Sequence, residues 1–253
     1  MKRYWTDQPC NINEALEITG DLFHHIVDVC RHQMGDKIEL ITSDGFAFLS
    51  ELVLIKKKSL TMMPLEKRKI PDLPRPHLIL YLSFPKFQTF EAVIEKAVEL
   101  GVTGIQPFFS EFSFIKSEGK ISEEKWARWN RIIVTATQQS NRGDFMKIEQ
   151  PLQWSEVIEK LKFNPDDRNF CLFSYEGTGA VPISQIFNKV TPPLAQREEI
   201  HVLVGSEGGF SAQEATQIAE MNIQVCNLGQ QILRVETACM ALLGILKYES
   251  RVI

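Results

Sequence analysis

The segments that decide the fold are IHVLVGSEGGFSAQEATQIAEM (residues 200–221) and IQVCNLGQQILRVETACMALLGIL (residues 223–246). Each begins with an apolar run that predicts a buried strand, and each run ends at a glycine, Gly205 or Gly229. A helical pattern follows each glycine-marked turn. In open α/β sheets, ligands bind where loops leave the carboxyl ends of neighbouring strands. The two segments therefore predict a ligand site between the loops that begin at Gly205 and Gly229.

Two helices are predicted behind these loops. Ser211 and Glu214 have the spacing of a capping box, in which each side chain accepts a hydrogen bond from the other residue's backbone N–H. The last helix, predicted from about Glu236 to Ser250, is apolar on nearly every side. A helix of this kind is buried all round, so we expect a partner subunit to cover one side of it.

From residue 78 onward the chain alternates between strand and helix patterns. Apolar spacing predicts one helix that ends at Gly101 and another that opens at Ser122. Buried strands are predicted at residues 78–82, 102–109, 169–174 and 200–204. Repeated strand–helix units predict an α/β fold with a mostly parallel sheet and helices on both of its faces.

The first part of the chain is richer in strand signals. Strands are predicted at residues 37–42, 46–55 and 60–63, and a short helix at residues 20–31. The segment IPDLPRPH has three prolines within six residues, which stiffen the chain and suit a linker. We place that linker at residues 71–77, between a first domain of residues 1–70 and a second of residues 78–253.

The overall composition excludes several classes of protein. A formal net charge of −4 is unlike that of a strongly basic nucleic-acid-binding protein, so such a partner would have to meet a local basic patch. The five cysteines form no C-x-x-C pair, which favours reduced thiols over disulfides or zinc, and we expect no metal site. No signal-peptide pattern or membrane-spanning apolar run occurs. We expect a cytoplasmic protein without a membrane partner.

Each polar cluster has two possible interpretations. The loop VGSEGGF lacks both the G-x-G-x-x-G and the P-loop patterns, and so is either a ligand loop or a structural turn. Arg234 is either a ligand-contacting cation or half of an internal salt bridge with Glu236 or Glu207. Arg142, near the end of a predicted helix, either contacts substrate or belongs to a polar helix end. The basic turn at Lys56–Lys58 is either a solvated rim or a phosphate-contacting patch.

Five segments together resemble one known family, and they are spread over nearly the whole chain in that family's order. They are HHIVDVCRHQMGDKIEL (24–40), EKAVELGVTGIQPFFSE (95–111), ATQQSNRG (136–143), LVGSEGGFSAQE (203–214) and LGQQILRVETA (228–238). With these motifs the chain resembles the RsmE-type 16S ribosomal RNA (uracil-N3) methyltransferases of the SPOUT superfamily. It departs from them at Ser206, where the family more often has proline, and after Arg142, where a proline often found is missing.

The resemblance implies both a fold and a reaction. It implies an N-terminal PUA-like β-barrel that binds RNA and a C-terminal SPOUT α/β domain ending in a trefoil knot, a rare exception to unknotted topology. It also implies S-adenosylmethionine (SAM) as cofactor, small-subunit 16S ribosomal RNA as partner, and a homodimer. In the expected reaction, uracil N3 attacks the methyl carbon in line. The base must be unpaired or flipped for this, because N3 faces inward in a base pair.

The resemblance also assigns roles to residues. Arg234, or secondly Arg142, is expected to stabilise the negative charge that develops on the uracil oxygens. RNA-backbone contacts are expected from Arg3, Arg31, Lys56, Lys57 and Lys58. Cofactor contacts are expected from Phe173, Val204, Gly205, Glu207, Gly208, Gly209, Leu228, Gly229, Ile232, Leu233, Glu236, Thr237 and Ala238.

Two other functions remain open at this stage. A non-catalytic RNA-binding assembly factor would keep the fold without the chemistry, although intact Arg234 and Glu236 argue against it. A nucleotide-dependent oxidoreductase is disfavoured because no G-x-G-x-x-G opens the first strand–helix unit. Methyl transfer to RNA distinguishes the first alternative, and titration with NAD(H) against SAM distinguishes the second.

Overall fold

The structure, a computed structural model, describes residues 2–140, 142–162, 168–221 and 223–252. The chain divides into two units, the first formed by Met1–Asp72 with Thr137–Asp144 and the second by Leu73–Ala136 with Phe145–Ile253. The short segment Thr137–Asp144 therefore belongs with the first unit, whereas the sequence analysis assigned it to the second domain.

The first unit is built on a five-stranded sheet in the order β1-β3-β4-β5-β2. Strand β1 pairs in parallel with β3, and the other pairings are antiparallel. Gly45, at a φ of +81°, supplies the left-handed residue of the tight turn between β3 and β4. The elements are β1 (Arg3–Thr6), β2 (Leu16–Thr19), α1 (Gly20–His24), β3 (Lys37–Thr42), β4 (Phe46–Ile55) and β5 (Ser59–Lys69).

The single helix predicted over residues 20–31 is shorter and of two kinds. The α-helical turns of α1 pass into a π-helix at His25–Val29, where the Cys30 N–H donates to the carbonyl of His25. Ile26 is fully buried in the core of this unit, and Val29 is 57% exposed. The helical segment ends at Val29, where the side chains become exposed, and so stops two residues before the predicted end at residue 31.

The second unit is built on an eight-stranded sheet with the path β11-β13-β10-β12-β6-β7-β8, and β9 also pairs with β7. Every described pairing in it is parallel. Its elements follow the predicted alternation. They are β6 (His77–Ser83), α2 (Phe87–Glu99), β7 (Gly104–Phe109), α3 (Glu123–Gln139), β8 (Lys147–Ile148), β9 (Leu152–Gln153), α4 (Trp154–Lys160), β10 (Asn169–Ser174), β11 (Val181–Pro182), α5 (Ile183–Ile186), β12 (Glu199–Val204), α6 (Ala212–Ala219), β13 (Gln224–Asn227) and α7 (Val235–Glu249).

Helices cover both faces of this sheet. Alternate residues of β12 belong to different apolar clusters, with Val202 on one face and Leu203 on the other. Side chains of α2, α3 and α7 fill the first face, and those of α4 and α6 fill the second. This burial on both sides explains why the strands appear in the sequence as continuous apolar runs.

Helix α7 is buried along one side only. Leu242, Leu243 and Leu246 lie in the core, whereas Tyr248 is 70% exposed and Ile245 is partly exposed. The second side of α7 has no covering element among the described residues, so the predicted burial all round depends on the expected partner subunit and stays a prediction. None of the described helices combines the length and the apolar character needed to cross a bilayer.

Candidate functional site

A cavity of about 790 Å³ lies at the carboxyl ends of β6, β10 and β12 and at the amino end of α7. This is where open parallel sheets bind their ligands, because the loops of adjacent strands diverge there. All the lining residues belong to the second unit. They are residues 86, 89, 174–176, 204–210, 232–236 and 238.

The glycine loop after β12 is a compact turn that closes on itself. The Gly209 N–H donates to the carbonyl of Ser206 at 2.9 Å, and Gly209 has a φ of +68° that favours glycine. A methyl group added at Gly205 would lie 2.9 Å from the Cα of Gly209. Gly205 and Gly209 are thus required by the packing of the turn itself, and the backbone of the turn forms one wall of the cavity.

The predicted capping box follows this loop and is confirmed. The Ser211 side chain accepts from the Glu214 N–H at 3.3 Å, and the Glu214 carboxylate accepts from the Ser211 N–H at 2.9 Å. The other carboxylate oxygen of Glu214 accepts from the Glu111 N–H at 2.8 Å. One buried glutamate therefore fixes the start of α6 and also the chain that leaves β7.

Glu207 is occupied by contacts to the start of α2. Its carboxylate accepts from the backbone N–H of Lys86 at 3.2 Å and from the Thr89 hydroxyl at 3.1 Å. A carboxylate at a helix N-terminus is stabilised by the unpaired N–H groups and by the helix dipole. Glu207 therefore joins the glycine loop to α2 across the mouth of the cavity.

Arg234 stands at the N-cap position of α7, with an exposed side chain that lines the cavity. Within the described part of the chain its guanidinium has no hydrogen bond or ion pair, so the salt bridge to Glu207 or Glu236 is not formed. Its side chain does not cap the helix. The first N–H groups of α7 lack partners within the helix, so they are available to a ligand in the cavity.

Two of the carboxylates that line the cavity, Glu176 and Glu236, also act on the buried cysteines Cys226 and Cys239. Burial, and secondarily the charge of Glu176, raises the pKa of the Cys226 thiol to about 12. Burial, and secondarily Glu236, also raises the pKa of Cys239. Both thiols are therefore protonated at neutral pH and serve as small apolar groups in the core.

Of Arg234 and the thirteen predicted cofactor residues, ten line this cavity and four do not. Besides Arg234, the lining residues are Val204, Gly205, Glu207, Gly208, Gly209, Ile232, Leu233, Glu236 and Ala238. Phe173, Leu228, Gly229 and Thr237 lie outside the lining. Phe173 is fully buried against Phe210 on the α4–α6 face of the sheet, because side chains alternate along β10, and its neighbour Ser174 lines the cavity instead.

The lining also contains residues that the sequence analysis missed. Lys86 and Thr89 follow β6, and Tyr175 and Glu176 follow β10. No glycine follows β6 closely, whereas Gly177 and Gly179 follow β10 and are a local signal comparable to Gly205. A positional signal was also available, since both strands were predicted and their carboxyl ends meet at the same edge of the sheet.

Arg142 lies in the first unit, in a different kind of environment. Its Nε and Nη2 donate to the two carboxylate oxygens of Asp144, each at 2.9 Å. The Arg142 side chain is 3% exposed, and a buried guanidinium needs such a carboxylate partner. The structure thus places this predicted catalytic arginine in a structural ion pair.

The predicted RNA-binding cations of the first unit fall into two groups. Arg3 donates to Glu39 at 2.7 Å in a largely buried ion pair that Arg68 shares, so its charge is neutralised within the fold. Arg31 is exposed at a φ of +57°. Lys56–Lys58 form the exposed turn between β4 and β5, and only Lys56 among them approaches a carboxylate, Glu17 at 3.7 Å, in the described residues.

The chain is similar to RNA methyltransferases over nearly its whole length. An RNA methyltransferase domain family matches residues 71–247, and an RNA methyltransferase PUA domain family matches residues 18–62. The Ribosomal RNA small subunit methyltransferase E of Bacillus subtilis (strain 168) is 27% identical over 262 residues, covering 100% of this chain and 98% of that protein. The protein of the same name from Mesomycoplasma hyopneumoniae (strain 232) is 34% identical over 179 residues, covering 71% and 73%.

A solved structure has the same fold over nearly the full length. It is a crystal structure of a Ribosomal RNA small subunit methyltransferase E from Neisseria gonorrhoeae bound to S-adenosyl methionine. The TM-score is 0.79 at 24% sequence identity, and the match covers 98% of this chain and 97% of that one. At this identity the likeness concerns the fold.

Proposed function

The chain belongs to the Ribosomal RNA small subunit methyltransferase E family of RNA methyltransferases, and we propose that it transfers a methyl group from S-adenosylmethionine to N3 of a uridine in 16S ribosomal RNA. The observation that supports this most directly is the cavity at the carboxyl ends of β6, β10 and β12. A ribosomal RNA substrate would also account for the cytoplasmic location expected from the sequence.

The residues of the cavity fit the proposed cofactor. A volume of about 790 Å³ lies in the range of roughly 300–1,000 Å³ that is usual for small-molecule sites. Gly205, Gly208 and Gly209 contribute backbone without side chains to one wall, and the uncapped start of α7 offers N–H donors. Glu176 and Glu236 provide negative charge, which suits a cofactor that carries a sulfonium and an ammonium group.

When bound, the cofactor supplies a methyl group on an electron-poor sulfur. The protein's part is to hold the uracil in line and to stabilise the charge that appears on its oxygens when N3 loses its proton. Arg234 is the proposed cation for this, because it lines the cavity and no described carboxylate neutralises it. Arg142 is the weaker candidate, because Asp144 already holds its guanidinium.

The proposal includes a homodimer and a trefoil knot, both implied by the family resemblance. The partly exposed side of α7, with Ile245 and Tyr248, supports a second copy as its cover. The order β13-β10-β12 supports a threaded chain end, because the connection from β12 through α6 passes β10 to reach β13 before α7 returns to the face that also holds α2. In the first unit, the Lys56–Lys58 turn is the proposed contact to the RNA backbone.

The test is methyl transfer from radiolabelled SAM to 16S ribosomal RNA and to isolated small subunits, followed by mass spectrometry of the digested nucleosides. We expect 3-methyluridine and no other methylated nucleoside. Methyl transfer to another atom or base would refute the N3 assignment but would still support a methyltransferase. SAM binding without transfer to either substrate would favour the non-catalytic assembly factor, and binding of NAD(H) in place of SAM would favour the oxidoreductase.

A further inference from the structure

The loop that leaves β7, residues 111–116, places two phenylalanines at the surface. Phe112 is 45% exposed and Phe114 is 54% exposed, whereas Ser113 between them is 2% exposed. The backbone therefore alternates, with the polar residue turned inward and the two aromatic rings turned outward. This inverts the usual preference for burying large apolar side chains. We call residues 111–116 the aromatic loop.

Buried hydrogen bonds fix this inverted arrangement. The Ser113 hydroxyl accepts from the Ser110 N–H at 2.8 Å and lies 2.9 Å from the Ser83 hydroxyl. The Phe114 N–H donates to the carbonyl of Phe84 at 2.8 Å. Turning either ring inward would break these bonds and leave buried polar groups without partners. The exposure of the two rings is thus built into the fold of the loop.

The aromatic loop stands at the rim of the cavity. The Ser206 hydroxyl donates to the carbonyl of Phe112 at 2.6 Å, and a methyl group added at Gly208 would lie 2.7 Å from the Cβ of Phe112. On the other side, the Lys86 ammonium lies 5.3 Å from the centre of the Phe114 ring, and Lys86 also lines the cavity. The rings are therefore continuous with the wall that the glycine loop forms.

We propose that Phe112 and Phe114 form a stacking surface that receives an unpaired base of the RNA beside the cavity. Aromatic faces bind unpaired bases by stacking, with little dependence on sequence. Lys86 places an exposed ammonium beside the Phe114 ring and Lys116 is exposed in the same loop, and their positive charge suits a phosphate backbone. The inference rests on the proposed function, since N3 of a uracil can be reached only when the base is unpaired.

The test uses binding of fluorescein-labelled oligouridine by anisotropy, with oligouridine annealed to oligoadenine as the paired competitor. Phe112→Ala and Phe114→Ala should each weaken oligouridine binding by about 5- to 100-fold, the usual range for losing one stacked base. Phe114→Tyr should bind oligouridine nearly as well as the unaltered chain, because it keeps the aromatic face. Phe114→Leu should weaken binding as Phe114→Ala does. Val181→Ala is the matched control, since Val181 is an exposed apolar residue of the same unit outside the cavity lining.

Two further measurements separate the outcomes. SAM affinity measured by calorimetry should be unchanged in the phenylalanine variants, and sedimentation should show the same oligomeric state as the unaltered chain. The proposal is overturned if the alanine variants bind oligouridine as the unaltered chain does, or if the unaltered chain binds none. It is also overturned if the alanine variants change the oligomeric state, because the rings would then contact a second copy.

The failure of this inference is distinguishable from failure of the proposed function. If the unaltered chain methylates ribosomal RNA and the alanine variants keep its KM for RNA, the stacking proposal is wrong and the proposed enzymatic function is supported. If no methyl transfer occurs but stacking-dependent oligouridine binding does, the surface stands and the catalytic proposal is wrong.

Discussion

Two arginines that are equally prominent in the sequence have opposite environments in the structure. Arg234 is exposed at the cavity and has no ion pair within the described residues. Arg142 is buried and held by both oxygens of Asp144. A cation can stabilise charge on a substrate only if the fold has not already neutralised it. The partner of a charged side chain, more than its residue type, therefore decides whether the charge can act on a substrate or stabilises the fold.

The largest expected effect follows from removing Arg234. Arg234→Ala should lower kcat by about 100- to 1,000-fold, as the loss of one preorganised charge-stabilising donor does, with the free energy of unfolding unchanged within about 0.5 kcal/mol. Arg234→Lys should recover part of the rate, because it returns the charge without the planar donors. Single-turnover kinetics at saturating SAM and RNA measure the rate of methyl transfer. A near-normal rate in the alanine variant would show that Arg234 does not stabilise the developing charge.

Arg142 should behave in the opposite way. Arg142→Gln removes one side of a bidentate pair, and the free energy of unfolding should fall by about 2 kcal/mol. The loss is smaller than for a fully buried pair, because Asp144 is 48% exposed and water can solvate it. Denaturant unfolding measures it, and Asp144→Asn is the matched variant, which should lower the stability more because it leaves the buried guanidinium without its carboxylate. Normal stability with lost turnover would show that Arg142 acts in the reaction instead.

Much of the fold followed from apolar periodicity. The strands predicted at residues 37–42, 46–55 and 169–174 have the same bounds as β3, β4 and β10. Periodicity is reliable there because each strand buries a regular pattern of side chains against a continuous core. The short strands β8, β9 and β11 were missed, because two residues are too few to carry a period.

The lining of the cavity was predicted in outline, and the predicted residues that lie outside it share a physical reason. Glycine marked the loop after β12 correctly, but no local signal showed which side of β10 Phe173 would face or that Thr89 would meet Glu207. The sequence also did not predict the pairing of Arg142 with Asp144, although the two residues are close in sequence. Such contacts depend on how separate elements are brought together, which a single sequence does not specify.

A third prediction applies the same contrast to the first unit. Lys57 and Lys58 are exposed on the β4–β5 turn, whereas Arg3 is paired with Glu39. Charge reversal by Lys57→Glu and Lys58→Glu together should weaken RNA binding by about 10-fold or more and flatten the salt dependence by roughly one unit of slope per lost phosphate contact. Arg3→Gln should instead lower thermal stability and keep the salt slope. Filter binding over a range of salt concentrations measures the salt dependence of RNA affinity. Equal salt dependence in the unaltered chain, the double lysine variant and Arg3→Gln would rule out the lysine patch.

The smallest effect concerns His201, a buried group that, unlike Arg142, can release its proton. It is 5% exposed on β12, with Nε2 3.2 Å from Glu199. Burial lowers the pKa of His201 and outweighs the opposing effect of Glu199, while Lys160 adds to the lowering. Between this lowered pKa and the ordinary pKa of about 6.5, the unfolded chain binds more protons than the folded one. The contribution of His201 to stability is therefore fully present above about pH 6.5 and is lost as the pH falls, by at most about 1.4 kcal/mol per pH unit.

Unfolding measured from pH 7.5 down to pH 5 should reveal this slope, and His201→Gln should reduce it because glutamine does not titrate. Glu199→Gln is the sharper control. Removing that carboxylate takes away a charge that favours the protonated ring, so it should lower the pKa further and extend the loss of stability to a more acid pH. A slope that survives unchanged in His201→Gln would assign the pH dependence to other groups. A Glu199→Gln variant that becomes more resistant to acid would mean that the loss of stability in acid arises from Glu199 and not from His201.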